Sequence, residues 1–165
     1  MKRLILVCMT VALLLCGCGY KLGSMTVGGI STISIQAIEN RTGKSFIEES
    51  AVANTLVQRF NRDGTIKVVS PELADAFLSV ILTDYIQAAQ AFSPNDVGTH
   101  FRLILIADVE VRRTDSRELL SRKRIEGEAT YEIGTDQTEL ERITVKQAIT
   151  DLSIDIVRSI LEGGW

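Results

Sequence analysis

The residues able to do chemistry in this chain are few and unevenly placed. All three cysteines, Cys8, Cys16 and Cys18, lie before residue 19. Leu15-Cys16-Gly17-Cys18 has the pattern of a lipobox, with an apolar residue three before the reacting cysteine and small Gly17 just before it. A peptidase groove needs that small residue, because the scissile bond must lie deep in it. The thiol of Cys18 would take a diacylglycerol and the freed α-amine a further acyl chain. At about 0.8 kcal/mol per buried methylene, two or more chains hold a protein on a bilayer where one does not. Cys16 follows bulky Leu15 and is a poor acceptor. Lys2 and Arg3 form a basic start, and residues 4–15 an apolar run too short for a permanent span. Residues 1–17 therefore read as a lipoprotein signal peptide. An ordinary signal peptide, or a cytoplasmic chain with an apolar start, is the plainer alternative. Gly19, where an aspartate would favour the inner membrane, points to the outer membrane.

Catalytic equipment is thin. His100 is the only histidine, and no G-x-S-x-G elbow accompanies it. Glu126, Glu128 and Glu132 recur at period two, which describes the solvent side of a strand before it describes paired glycosidase acids. No H-E-x-x-H, cysteine pair or calcium-loop spacing occurs, and Gly28-Gly29 lacks the Lys-Ser/Thr of a phosphate loop. The expectation is no catalytic site, no metal and no cofactor beyond the covalent lipid on Cys18. An envelope hydrolase with an unusual site is the reading from the opposite class.

Binding is better represented. Lys2 and Arg3 are two of the 18 basic residues, and none of the 21 acidic ones precedes Cys18, so the mature chain is acidic. That balance argues against nucleic acid as a partner. Within it, Arg112, Arg113, Arg117, Arg122, Lys123 and Arg124 gather around one turn. Their guanidinium forks would suit phosphates of lipid A or phospholipid headgroups. Pairing with Glu110, Glu118 and Glu126 across strands is the alternative. Ile104 and Ile106 fall on the side of a strand that otherwise carries Arg102, Asp108 and Glu110. An uncovered apolar patch there would be a partner surface, unless the tether folds over it.

These groups need elements to hold them. Residues 18–29 are glycine-interrupted and read as a lipidated tether, and residues 30–165 as one domain. Residues 30–38 alternate as a strand, and Asn40-Arg41-Thr42-Gly43 is a turn. Ser45 to Glu48 reads as a capping box opening a helix that buries Val52, Leu56 and Phe60 and stops at Gly64. After a short extended piece at residues 65–69 come strands at 76–86, 101–111 and 119–133. A loop at residues 87–98 carries Phe92 as a tip contact. Thr138 to Glu141 reads as a second capping box, before a helix with Val145, Ala148, Ile149, Leu152, Ile156 and Ile160 on one stripe. Gly163-Gly164 would cap it. The order β-α-(β)-β-β-β-α implies an α+β two-layer sandwich, with two helices on one face of a four-stranded, mostly antiparallel sheet.

With the motifs in this order the chain resembles the LPS-assembly lipoprotein family (LptE-type). Cys18-Gly19-Tyr20 is similar to that family's lipidated start. Residues 38–42 resemble its P-x-F-x-N-x-T region, with Gln36 and Ile38 where proline and phenylalanine are common. Residues 60–64 leading to 67–69, residues 74–78 with Tyr85, and residues 151–158 with the Gly-Trp finish are similar to its junctions and closing helix. The resemblance implies a noncatalytic plug in the β-barrel translocon that delivers lipopolysaccharide to the outer leaflet. It implies assistance to that barrel's assembly, contact with lipopolysaccharide, and two helices on a four-stranded sheet. Relatives carry basic residues near the loop read here at residues 87–98, which has none. A lipoprotein adaptor or pilotin of another envelope complex is the alternative.

Overall fold

The computed structural model describes residues 28–92, 98–132 and 136–162. The expected signal peptide, Cys18, the expected tether up to residue 27 and the expected Gly163-Gly164 cap lie outside the described residues. The described chain enters through a turn at Gly28 and Gly29, both at positive φ, and Ile30 is already fully buried. No helix among the described residues is long and apolar enough to cross a membrane.

Strand β1 (Thr32–Asn40) leads to α1 (Glu49–Asp63), β2 (Lys67–Val68) and a 3₁₀ turn (Pro71–Leu73). The long strands β3 (Ala76–Phe92), β4 (Gly98–Arg113) and β5 (Leu119–Glu132) follow, and α2 (Gln137–Leu161) closes the described fold. One sheet has the order β2-β1-β3-β4-β5. The α+β class and both helices stand as read, but the sheet has five strands, not four. The short piece after α1 pairs parallel with β1, Thr32 opposite Lys67 and Ile33 opposite Val68. Two residues carry no period of their own, so only the pairing reveals them. Strand β1 also runs parallel to β3, while β3, β4 and β5 form the antiparallel part.

The stretch expected as a loop at residues 87–98 is largely strand. Ala89 pairs with Phe101, and Phe92 with Gly98, so β3 and β4 continue as a hairpin to residues 92 and 98. Ile86, Gln87, Ala88 and Gln90 are exposed. With little burial there is no clean alternation, and cross-strand hydrogen bonds alone set the length.

Neither helix start carries the capping box expected of it. Helix α1 begins at Glu49, and its N-cap Glu48 makes no side-chain cap. Its entry is pinned instead by Asn40, whose amide donates to Lys44 O and Ile47 O, each at 2.9 Å, and whose Oδ1 accepts from Thr42 N at 3.1 Å. Glu49 closes the ring by accepting from the Asn40 backbone N–H at 2.9 Å. In α2 the cap is Asp136, which accepts from Glu139 N at 3.1 Å. Gly64 ends α1 in the left-handed conformation and donates to Phe60 O at 2.9 Å.

One core lies between the helices and the sheet. Val52, Leu56 and Phe60 of α1 and Val145, Ala148, Ile149, Leu152, Ile156 and Ile160 of α2 are buried there, as their spacing predicts. They meet Leu78, Val80, Leu82, Leu103, Leu105, Val109 and Ile125. Burying each large aliphatic side chain contributes about 1.5–3 kcal/mol. Gly127 lets α2 lie directly on β5: a Cβ there would stand 2.4 Å from Ala148 O and 2.5 Å from Leu152 Cβ.

Candidate functional site

Only one face of the sheet carries the helices. On its other face the pleat presents Arg102, Ile104, Ile106, Asp108, Glu110 and Arg112 from β4. Their cross-strand partners are Ala88, Ile86, Asp84, Ile81, Ser79 and Phe77 in β3. On the β5 side, Thr130, Glu128, Glu126, Arg124 and Arg122 stand opposite the first five. This is the open face on which the sequence placed the isoleucine pair.

The two isoleucines differ. Ile104 is half-buried, but Ile106 is only 6% exposed, so it is not the uncovered anchor expected. It lies outside the helix-facing core cluster and is covered from its own side. Asp84 and Glu126 stand opposite it in the flanking strands, and Arg124 reaches across to Asp84 at 2.6 Å. Ile86 opposite Ile104 is 43% exposed and extends the apolar stripe toward the far end of the hairpin. That residue was missed because it stood at the end of a strand reading that stopped too early.

Ion pairs frame the stripe. The Arg102 guanidinium holds Glu128 through two contacts, the Nε one at 2.8 Å. Glu110 is clasped by Arg112, at 3.1 Å through Nε and 3.0 Å through Nη2, and by Arg122. Burial alone would raise the Glu110 carboxyl, but Arg122 and Arg112 hold it below the usual range. The face is therefore charged but largely compensated from within.

The basic cluster is divided by the pleat. Arg112, Arg122 and Arg124 lie on the open face and each has a carboxylate. Arg113 sits 4.0 Å from Glu118 and donates to Gly28 O at 3.4 Å. Lys123 donates to Ser159 O at 3.0 Å, near the end of α2. The Arg117 guanidinium lies 5.4 Å from the centre of the Phe77 ring, on a backbone of φ 59°. Glu110 and Glu118 thus take the pairing roles expected of them, and Asp84 takes the one expected of Glu126.

Phe92 ends β3, paired with Gly98; its side chain lies outside the described residues. His100 opens onto solvent and bridges to Glu132 Oε1 at 2.9 Å. Among the described residues no group of three or more His, Cys, Asp or Glu gathers around a point.

A second feature was not read from the sequence as a unit. On the helix side of the hairpin's far half, Tyr85 donates to Glu141 of α2, and Phe46 meets its ring edge-on at 6.0 Å. Burial, then the bond to Glu141, raises the Tyr85 hydroxyl well above its ordinary value. Phe101 and Tyr131 stack at 5.5 Å further out. These residues come from separate segments, and no local spacing joins them.

The family model for lipopolysaccharide assembly, LptE, matches residues 30–162. No curated protein matches by sequence. Among solved structures the chain is similar to a hypothetical protein of Chlamydia trachomatis (TM-score 0.56, 6% identity, 79% of this chain and 97% of that one). It is also similar to a minor lipoprotein of Acinetobacter baumannii (TM-score 0.55, 13% identity, 80% and 93%). A third is PelC of Paraburkholderia phytofirmans, a dodecamer (TM-score 0.51, 12% identity, 79% and 88%). At these identities the likeness is one of fold.

Proposed function

This chain belongs to the LptE family of lipopolysaccharide-assembly proteins, and on that ground we propose that it is a noncatalytic, lipid-anchored plug of the outer-membrane translocon barrel. It assists assembly of that barrel and supports delivery of lipopolysaccharide to the outer leaflet. Cys18 carries the acyl chains, and the barrel subunit is the partner. The family match over residues 30–162 carries the assignment, and the open face gives it a working surface. A plug must offer a hydrated contour to a polar lumen wall, with a few apolar anchors to fix its orientation. Compensated ion pairs around Ile104 and Ile86 offer that mixture, because a paired charge costs less to bury than a lone one. Phe92 at the hairpin end is a further anchor in this reading. Arg112, Arg113, Arg122, Lys123 and Arg124 would meet anionic lipid only by exchanging their present partners.

The test is capture of the barrel from native membranes. Ile86→Asp with Ile104→Asp should lower the amount of co-purified barrel several-fold while the circular dichroism of the protein is unchanged. Undiminished capture by a folded double variant would remove the apolar stripe from the account. The adaptor or pilotin reading is the second one, because the fold alone does not decide it: PelC shares that fold and forms a dodecamer. Size-exclusion of the complex separates the two, a plug giving one copy per barrel and a ring many.

A further inference from the structure

The arginines of the open face have carboxylate partners, but two arginines between the helices do not. Arg59 and Arg62 lie one turn apart on α1 and, with Thr55, Gln58, Thr150, Ser153 and Ile154, line a notch of about 130 Å³. No carboxylate contributes to that lining. The Nε of Arg59 is buried and has no acceptor. Native proteins satisfy buried donors, and a second positive charge, on exposed Arg62, lies one turn away. None of the neighbouring hydroxyls accepts from it, and each donates within its own helix: Thr55 to Ala51 O at 2.7 Å, Thr150 to Lys146 O at 2.8 Å and Ser153 to Ile149 O at 2.8 Å. Their protons are committed to their own helices, and their oxygens are left as acceptors only.

A ligand here must therefore accept from guanidinium groups. A tetrahedral oxyanion offers two guanidinium forks more acceptor oxygens than a carboxylate does. We infer that the notch between α1 and α2 is a binding site for a phosphate group, held by the forks of Arg59 and Arg62. Inorganic phosphate and the phosphomonoester of a lipid headgroup share that chemistry. The position favours neither by exclusion, but it is telling. Helix α1 runs back toward the start of β1, where Lys67 N donates to Ser31 O at 3.0 Å, three residues after Gly28. The notch thus lies toward the end of the domain from which the chain leads back to Cys18. The headgroup source rests on the lipid-anchor reading above; the site itself does not.

The test uses the full-length protein in a nonionic detergent, with arginine Nε–Hε resonances followed by NMR. Sodium phosphate and dihexanoyl phosphatidic acid are titrated separately. The expected result is a saturable shift of the Arg59 resonance, with affinity at least tenfold weaker in the Arg59→Gln, Arg62→Gln double variant and unchanged in Arg158→Gln. Tighter binding of phosphatidic acid than of phosphate assigns the site to a headgroup, and equal affinity assigns it to free phosphate. Should the glutamine variant unfold, Arg59→Lys with Arg62→Lys keeps the charge and should bind several-fold more weakly, because the fork is lost. Absence of a saturable shift with both probes, or equal binding by the wild type and a folded double variant, overturns the inference.

Discussion

Two side chains show how single residues set this fold. Asn40 uses both ends of its amide: it donates twice, to Lys44 O and Ile47 O, and accepts from both Thr42 N and Thr42 Oγ1, the latter at 2.7 Å. Asn40→Ala leaves partly buried carbonyls and an amide without partners, at about 1–3 kcal/mol each where water cannot replace it. We expect a loss of about 2 kcal/mol or more in urea unfolding. Asn40→Asp should lose nearly as much, since it keeps the acceptor but neither donor. Asp75 plays the same part at the other end of β1, where its Oδ2 accepts from Ser31 N at 2.8 Å, Ser31 Oγ at 3.0 Å and Thr32 N at 2.9 Å. The Ser31 N–H, against the opposing effect of burial, leads a set of donors that hold this carboxyl below its ordinary value. A carboxyl depressed in the folded state contributes stability that is complete above its unfolded value and lost as pH falls through the folded one. Stability of the wild type should therefore drop with acid below the ordinary aspartate range, near pH 4. Asp75→Asn should be less stable at neutral pH, with a shallower acid limb in pH-dependent urea midpoints.

Among the elements, the contact of α2 with β5 depends most on one residue. A methyl group at Gly127 would overlap the α2 backbone, and neither Ala148 O nor Leu152 N can step aside as a flexible side chain can. Gly127→Ala should cost about 1–3 kcal/mol by overpacking. Gly127→Val should cost more, read as a fall in thermal midpoint with no new oligomer. What was legible at this scale followed periodicity. Every residue read into the two helical stripes is buried, because a 3.6 repeat against a packed sheet leaves its mark in sequence, although Thr144, Ser153 and Val157 of α2 are buried as well. The strand stretch beyond Ile86 was not read, because no layer covers Gln87, Ala88 and Gln90 and so nothing forces alternation. The extended piece at residues 65–69 was read, but not as a strand of the sheet, because Lys67 and Val68 are ordered only by their pairing with β1. Both helix starts misled for one reason: Ser45 and Thr138 sit where a cap fits the motif, while Asn40 and Asp136 supply the bonds.

For the whole molecule, the division of labour between the two sheet faces is the main result. The helix face holds the domain together, and the open face keeps its charges compensated around a short apolar stripe. The sequence located that face through Ile104, but it could not show that Ile106 is sealed by its neighbours or that Ile86 continues the stripe. Ile106→Asp should accordingly destabilise the domain itself, by about 2 kcal/mol or more for a charge placed where little water reaches. Ile104→Asp should cost far less in the same urea unfolding. In the proposed plug, this open face, rather than the helix layer, meets the wall of the barrel. A photoreactive amino acid in place of Ile104, and separately in place of helix residue Gln58, tests it in living cells. Position 104 should cross-link to the barrel subunit, and position 58 much more weakly. Cross-links from position 58 alone, or from neither position with the protein correctly exported, would contradict it.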